Sequence, residues 1–81
     1  MKVRVLFFAQ ARERAARGEA DLVLPDGSRL EEALATIACE YPALAPLFPH
    51  LAVAVNGVLA RRDAVLPDGA ELALLPPVSG G

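Results

Sequence analysis

The sequence predicts an α+β roll, a mixed sheet wrapped over one amphipathic helix, from three observations. Strand-type alternation recurs in several short stretches, helical spacing of apolar residues is sustained only once, and turn signatures separate the two kinds of segment. With 81 residues the chain forms one domain, because two compact units would each be too short to bury a core without disulfides or metal. A hydrophobic fraction of 54% with few aromatics makes Val, Leu and Ala the core builders and excludes a disordered chain.

The first strand is expected over residues 2–8, where Lys2 and Arg4 alternate with Val3 and Val5 before the chain turns apolar on both faces at Leu6, Phe7 and Phe8. Residues 9–18 are rich in Ala, Arg and Glu, but Gly18 ends them before much apolar surface is gathered, so they are expected to be a connector. A second strand is expected over residues 19–24, with Ala20, Leu22 and Leu24 on one side and Pro25-Asp26-Gly27 as the turn. Ser28-Arg29-Leu30-Glu31 has the form of a capping box, which starts the helix at Ser28. Leu30, Leu34, Ile37 and Tyr41 form its apolar face, Glu32, Thr36 and Glu40 its outer face, and Pro42 stops it. Prolines 42, 46 and 49 then predict an irregular bridge back to the sheet.

Asn56-Gly57 between apolar residues is the strongest local signal, a two-residue hairpin turn that sets Val55 opposite Val58 and Ala54 opposite Leu59. A second Pro-Asp-Gly, at residues 67–69, precedes a last strand over residues 70–75, with Leu72 and Leu74 on one face and Ala73 and Leu75 on the other. The domain is therefore residues 1–75, and residues 76–81 form an extended tail. Leu6, Phe8, Leu59 and Leu75 fall by alternation on the face away from the helix. They are either scattered surface apolar residues or an interaction surface.

A net charge of -2 gives no concentrated positive face for nucleic acid. The apolar run at residues 5–9 is far shorter than the roughly 20 residues of a membrane span, and no leader with a cleavage site follows it, so a cytoplasmic address is expected. Cys39, the single cysteine, has no partner for a disulfide or thiolate metal site and is read as a passive thiol opposite the core face of the helix. His50 is read as structural or surface, and Arg12, Arg14 and Arg17 as solvated charge, which is the default for Arg61 and Arg62 as well, the alternative for these two being a pairing with acidic groups of a partner. Asp26, Asp63 and Asp68 belong to turns, and nothing pairs them as general acid and base.

The chain closes on Pro76-Pro77-Val78-Ser79-Gly80-Gly81. Paired prolines hold the chain extended as it leaves the sheet, and two glycines without side chains suit a passage barely wider than a backbone. Together with Val5-Leu6-Phe7-Phe8-Ala9, Arg12-Glu13, Val55-Asn56-Gly57 and Asp68-Gly69, this ending resembles the small, sulfur-carrying subunits of molybdopterin synthase. The likeness spans the chain; the terminal hexapeptide is its most specific part, and residues 43–50 its least family-like.

The resemblance implies a ubiquitin-like β-grasp fold and a sulfur carrier with no bound cofactor. It further implies that an E1-like adenylating enzyme uses ATP to convert the Gly81 carboxylate into an acyl-adenylate, and that a sulfur donor such as a cysteine desulfurase or rhodanese-like protein makes it a thiocarboxylate. A non-catalytic subunit of this kind delivers its sulfur on the large synthase subunit, which holds the active site, to a cyclic pyranopterin precursor whose dithiolene is being formed. Phe8, Leu59 and Leu75 are then the expected docking contacts, Pro77, Val78, Ser79 and Gly80 the part that enters the partner, and Gly81 the reaction point. Three other readings stay open: a sulfur carrier for the thiazole of thiamin, a protein modifier joined through Gly81 to lysine amines, and a plain interaction module with an incidental tail.

Overall fold

The computed structural model describes residues 1–77. Five strands form one sheet: β1 Lys2–Phe7, β2 Glu19–Val23, β3 Ala52–Val55, β4 Val58–Leu59 and β5 Glu71–Leu75. Their spatial order is β2-β1-β5-β3-β4. The central pair, β1 with β5, is parallel, and every other neighbouring pair is antiparallel. A parallel pair cannot be closed by a tight turn, so the chain between β1 and β5 must cross over the sheet. Two helices lie on that path, α1 Ala9–Ala15 and α2 Leu30–Glu40, followed by a 3-10 helix at Pro42–His50.

Alternation in the strands sends Val3, Val5, Phe7, Ala20, Leu22, Leu72 and Leu74 to the face covered by α2, which contributes Leu30, Ala33, Leu34 and Ile37 to the same core. Tyr41, just past α2, sets its ring edge-on to Phe7 with centroids 5.4 Å apart. The hairpin register is the one expected, Val55 opposite Val58 and Ala54 opposite Leu59. Both turn residues have positive φ, 51° at Asn56 and 84° at Gly57, as this tight hairpin requires. Asn56 also ties the turn to the sheet. Its N–H donates to the Glu71 carbonyl at 2.8 Å, and its Oδ1 accepts from the Glu71 N–H at 2.9 Å.

Three local expectations are corrected. Residues 9–18 are not a mere connector, since Ala9–Ala15 is helical. Its one fully buried residue is Ala11, so little apolar surface marks it in sequence, and bonds to distant residues hold it instead. Arg14 donates to the Ala43 carbonyl, and Arg17 donates to the Glu19 carbonyl and the Tyr41 hydroxyl. Both arginines stay exposed, as expected of solvated charge, while making these bonds.

The second correction concerns the start of α2, which has Arg29, not Ser28, at its cap. Ser28 is buried and its hydroxyl donates to the Pro25 carbonyl at 2.7 Å, closing the preceding turn. The orphan N–H groups of Leu30 and Glu31 donate to the carbonyls of Ala64 and Arg62 at 2.9 and 2.8 Å. Glu32, rather than Glu31, reaches back to the Arg29 N–H at 3.0 Å. Backbone from more than thirty residues away thus does what a side-chain cap was expected to do.

The third is the proline-rich bridge, which is regular. Pro42 opens the 3-10 helix where its missing N–H costs nothing, and Leu44 inserts fully into the core. Arg62, read by default as solvated charge, donates to the carbonyls of Phe48 and Leu51 at the end of this helix.

Asn56→Ala should lower stability by about 2 kcal/mol in urea unfolding, through a lost hydrogen bond and a left-handed alanine. Ala16, which ends α1 at φ 59°, gives the opposite case. Ala16→Gly should leave the midpoint unchanged or raise it, by up to about 1 kcal/mol, because the relieved backbone strain offsets the flexibility of glycine.

Candidate functional site: the outer sheet face and the tail exit

The face of the sheet turned away from α2 is divided across its length. Register aligns Leu6 with Ala73, Ala73 with Ala54, and Ala54 with Leu59, one apolar row running over four strands. The next row toward the end of β5 pairs Leu75 with Ala52. In the opposite direction Arg4 lies between Asp21 and Glu71, with its guanidinium 3.6 Å from the Asp21 carboxylate. One end of the face is apolar across four strands and the other carries Arg4, Asp21 and Glu71 with Lys2 and the exposed Val23 beyond them, and the chain after β5 leaves from the apolar end.

In the first of these rows the leucines stand at the flanks and the alanines in the middle. Leu59 is 62% exposed on the short edge strand and Phe8 is 42% exposed just past β1. Leu6 and Leu75 are half-buried. Among the described residues, Leu59 and Phe8 leave apolar surface in contact with water, as an association face does.

Pro76 and Pro77 follow Leu75 directly and carry no N–H, so the β5 ladder ends there. Both line a cleft of about 550 Å³ whose other walls include Phe8, Gln10, Leu47 and His50. Phe8 and Pro77 therefore meet at one place, and Leu75 lies on the adjoining row. Leu59 stands apart, with β3 and β5 separating its strand from β1, roughly 14 Å at ordinary strand spacing. Val78, Ser79, Gly80 and Gly81 lie outside the described residues.

Leu47 and His50 were not among the expected site residues. The available signal was the spacing of Leu44, Leu47 and His50 by three, the period of a 3-10 helix, which the prolines concealed. Cys39 is exposed, as its position opposite the core face predicts. Asp26 and Asp63 are held in local pairs, with the Met1 ammonium at 3.1 Å and the Arg61 guanidinium at 3.6 Å. None of the described residues forms a helix long and apolar enough to cross a membrane.

The profile of the ThiS family matches residues 5–81. The chain belongs to this family. A molybdopterin synthase sulfur carrier subunit of Chlamydomonas reinhardtii is 39% identical, with 100% of each chain covered. Among solved structures, SAMP1 from Haloferax volcanii superposes with a TM-score of 0.88 at 28% identity, over 100% of both chains. A complex of subunits 1 and 2 of molybdopterin-converting factor from Helicobacter pylori contains a chain that matches with a TM-score of 0.70 at 30% identity, again over 100% of both. The fold of this ThiS-family member is thus the ubiquitin-like β-grasp, and its relatives are the molybdopterin synthase sulfur carriers that the two ends of the sequence resemble.

Within this member of the ThiS family, Leu59→Glu should change stability by less than about 0.5 kcal/mol, as for an exposed site. Phe8→Glu should behave alike at the cleft.

Proposed function

We propose that this chain is the sulfur carrier subunit of a molybdopterin synthase, with the Gly81 carboxylate as its working group. The observation that carries the proposal is the placement of the tail exit. Pro76 and Pro77 leave the sheet beside the exposed apolar rows, so a partner seated on those rows receives the chain end. The relatives named as molybdopterin synthase sulfur carriers, and the two-subunit complex from Helicobacter pylori, support the large synthase subunit as that partner.

The chemistry follows from the limits of a carboxylate. With a reference pKa near 3.5 it is ionised at neutral pH, and neither oxygen leaves when a sulfur nucleophile attacks. An adenylating enzyme of the E1 type supplies the leaving group: a carboxylate oxygen attacks the α-phosphorus of ATP, pyrophosphate departs, and Gly81 becomes an acyl-adenylate. A persulfide sulfur from a desulfurase or rhodanese-like donor then displaces AMP, and reductive cleavage of the resulting acyl disulfide by a thiol leaves a thiocarboxylate. The large subunit binds the pterin precursor and supplies the acid, base and electrostatic groups for sulfur transfer. The small domain contributes reagent and position.

The likeness to SAMP1, described in a related structure from the same organism as small archaeal modifier protein 1, favours a second reading in which Gly81 is joined to protein amines. Both uses share the adenylate and diverge at the nucleophile.

Incubation with a cognate adenylating enzyme, ATP and a sulfur source should exchange one oxygen for sulfur, located at Gly81 by intact mass and fragmentation. An unchanged mass overturns the carrier reading, and isopeptide-linked proteins in extract favour the modifier. Extension of the chain by a few residues past Gly81 should abolish the exchange and leave the melting temperature unaltered.

A further inference from the structure

The segment Pro42–His50 is nine residues of 3-10 helix with Pro46 and Pro49 inside it. Runs of this length are uncommon, because the i to i+3 hydrogen bond is poorly aligned, and each internal proline removes one more donor. Pro46 has no N–H for the Ala43 carbonyl three residues before it, and Arg14 donates to that carbonyl instead at 3.3 Å. At the other end the Phe48 carbonyl accepts from the Leu51 N–H at 3.3 Å and from Arg62 Nη2 at 2.9 Å, and the same nitrogen reaches the Leu51 carbonyl at 3.4 Å. Two arginines from outside thus hold the two ends of a helix that holds itself poorly.

This helix divides two depressions. Leu47, His50 and Leu51 wall the cleft at the tail exit, whereas Ala45, Phe48 and Pro49 wall a groove against Leu34 and Ala38 of α2. Arg62 is half-buried and lies in the groove. Its two bonds therefore act from one side of the helix on a segment whose other side faces the cleft. The remaining cleft walls do not depend on it. Phe8 follows β1 and Pro76 follows β5, and the parallel ladder, with Phe7 opposite Leu74, keeps those two strand ends together.

We infer that Arg62 is a positioning residue for the tail-exit cleft: it sets the wall of Leu47 and His50 relative to Phe8 and Pro77, and through that wall the affinity for the protein that receives the chain end. The effect on affinity rests on the carrier reading given above; the effect on the wall does not. Charge by itself is not what the site uses. A lysine at this position keeps the charge but shortens the side chain by one bond and places a more strongly hydrated ammonium in a half-buried site, so both carbonyls lose their donor.

Arg62→Lys and Arg62→Met test the inference beside Arg29→Met. Arg29 holds the same loop from its other side, donating to the Asp63 carbonyl at 2.8 Å, and lines neither depression. All three changes should lower the unfolding midpoint. While a variant is almost wholly folded, however, its affinity falls only by the unfolded fraction, so lost stability alone does not move binding. Hydrogen exchange of the Leu51 amide, which shares the Phe48 carbonyl with Arg62, should speed roughly tenfold relative to the amides of β1 in both Arg62 variants, the scale of one charge-assisted hydrogen bond, and should not do so in Arg29→Met. Calorimetric binding to a cognate large synthase subunit should weaken about tenfold in both Arg62 variants and stay native in Arg29→Met. An unchanged Leu51 amide or native affinity in the Arg62 variants overturns the inference, as does an Arg29→Met chain that loses both to the same degree. A native chain that binds no large subunit overturns the carrier reading instead, and Leu51 exchange then still decides whether Arg62 holds the wall.

Discussion

The parallel pairing of β1 with β5 is the constraint on which the rest of this structure depends. Ladder bonds between strands far apart in sequence fix both at the centre of the sheet and give them one direction. The intervening chain has to cross one face, and α2 does so with an apolar stripe that fills the space beneath the strands. Because β5 points the same way as β1, the chain end emerges at the edge of the domain where β1 delivers Phe8. An antiparallel β5 would send the tail out beside Lys2 and Asp21 instead. The separation of an apolar exit from a charged far end is therefore a consequence of strand direction as much as of residue choice.

The crossover is secured by backbone more than by side chains. The N-terminus of α2 donates to carbonyls of the loop that follows β4, and Leu66 donates to the Ser28 carbonyl at 2.8 Å. At the other end, Arg62 bonds the last carbonyls of the 3-10 helix. One loop thus holds both the start of α2 and the end of the segment behind it. Such bonds satisfy donors that would otherwise be orphaned, and they connect the helix layer to the hairpin edge of the sheet. Among the described residues no buried side-chain polar atom lacks a partner.

In a domain built this way the chain that follows β5 leaves beside the apolar rows of the outer sheet face. The polar side chains of the domain close turns, cap helices and tie loops, and of its exposed apolar side chains Phe8 stands where the tail departs. The proposed partner then supplies what the carrier does not, a bound substrate and catalytic groups around a narrow passage.

Most of the fold was legible in sequence because its signals are local. Alternation located the strands, i to i+4 spacing located α2, and Asn56-Gly57 determined the hairpin register, all through interactions between near neighbours. The apolar residues of the outer face were legible by the same alternation, and the family was legible from the two ends of the chain. Helix α1, the true cap of α2 and the regularity of residues 42–50 were not, since each is held by partners that sequence distance hides: Ala43 for Arg14, Ala64 for Leu30, and the core for Leu44. Sequence alone determined which residues are apolar on each face. Only the tertiary structure decided that Phe8, Leu47, His50 and Pro77 share one cleft and that Lys2 lies far from it, because strand order and direction are settled by long-range pairing that no short window of residues contains.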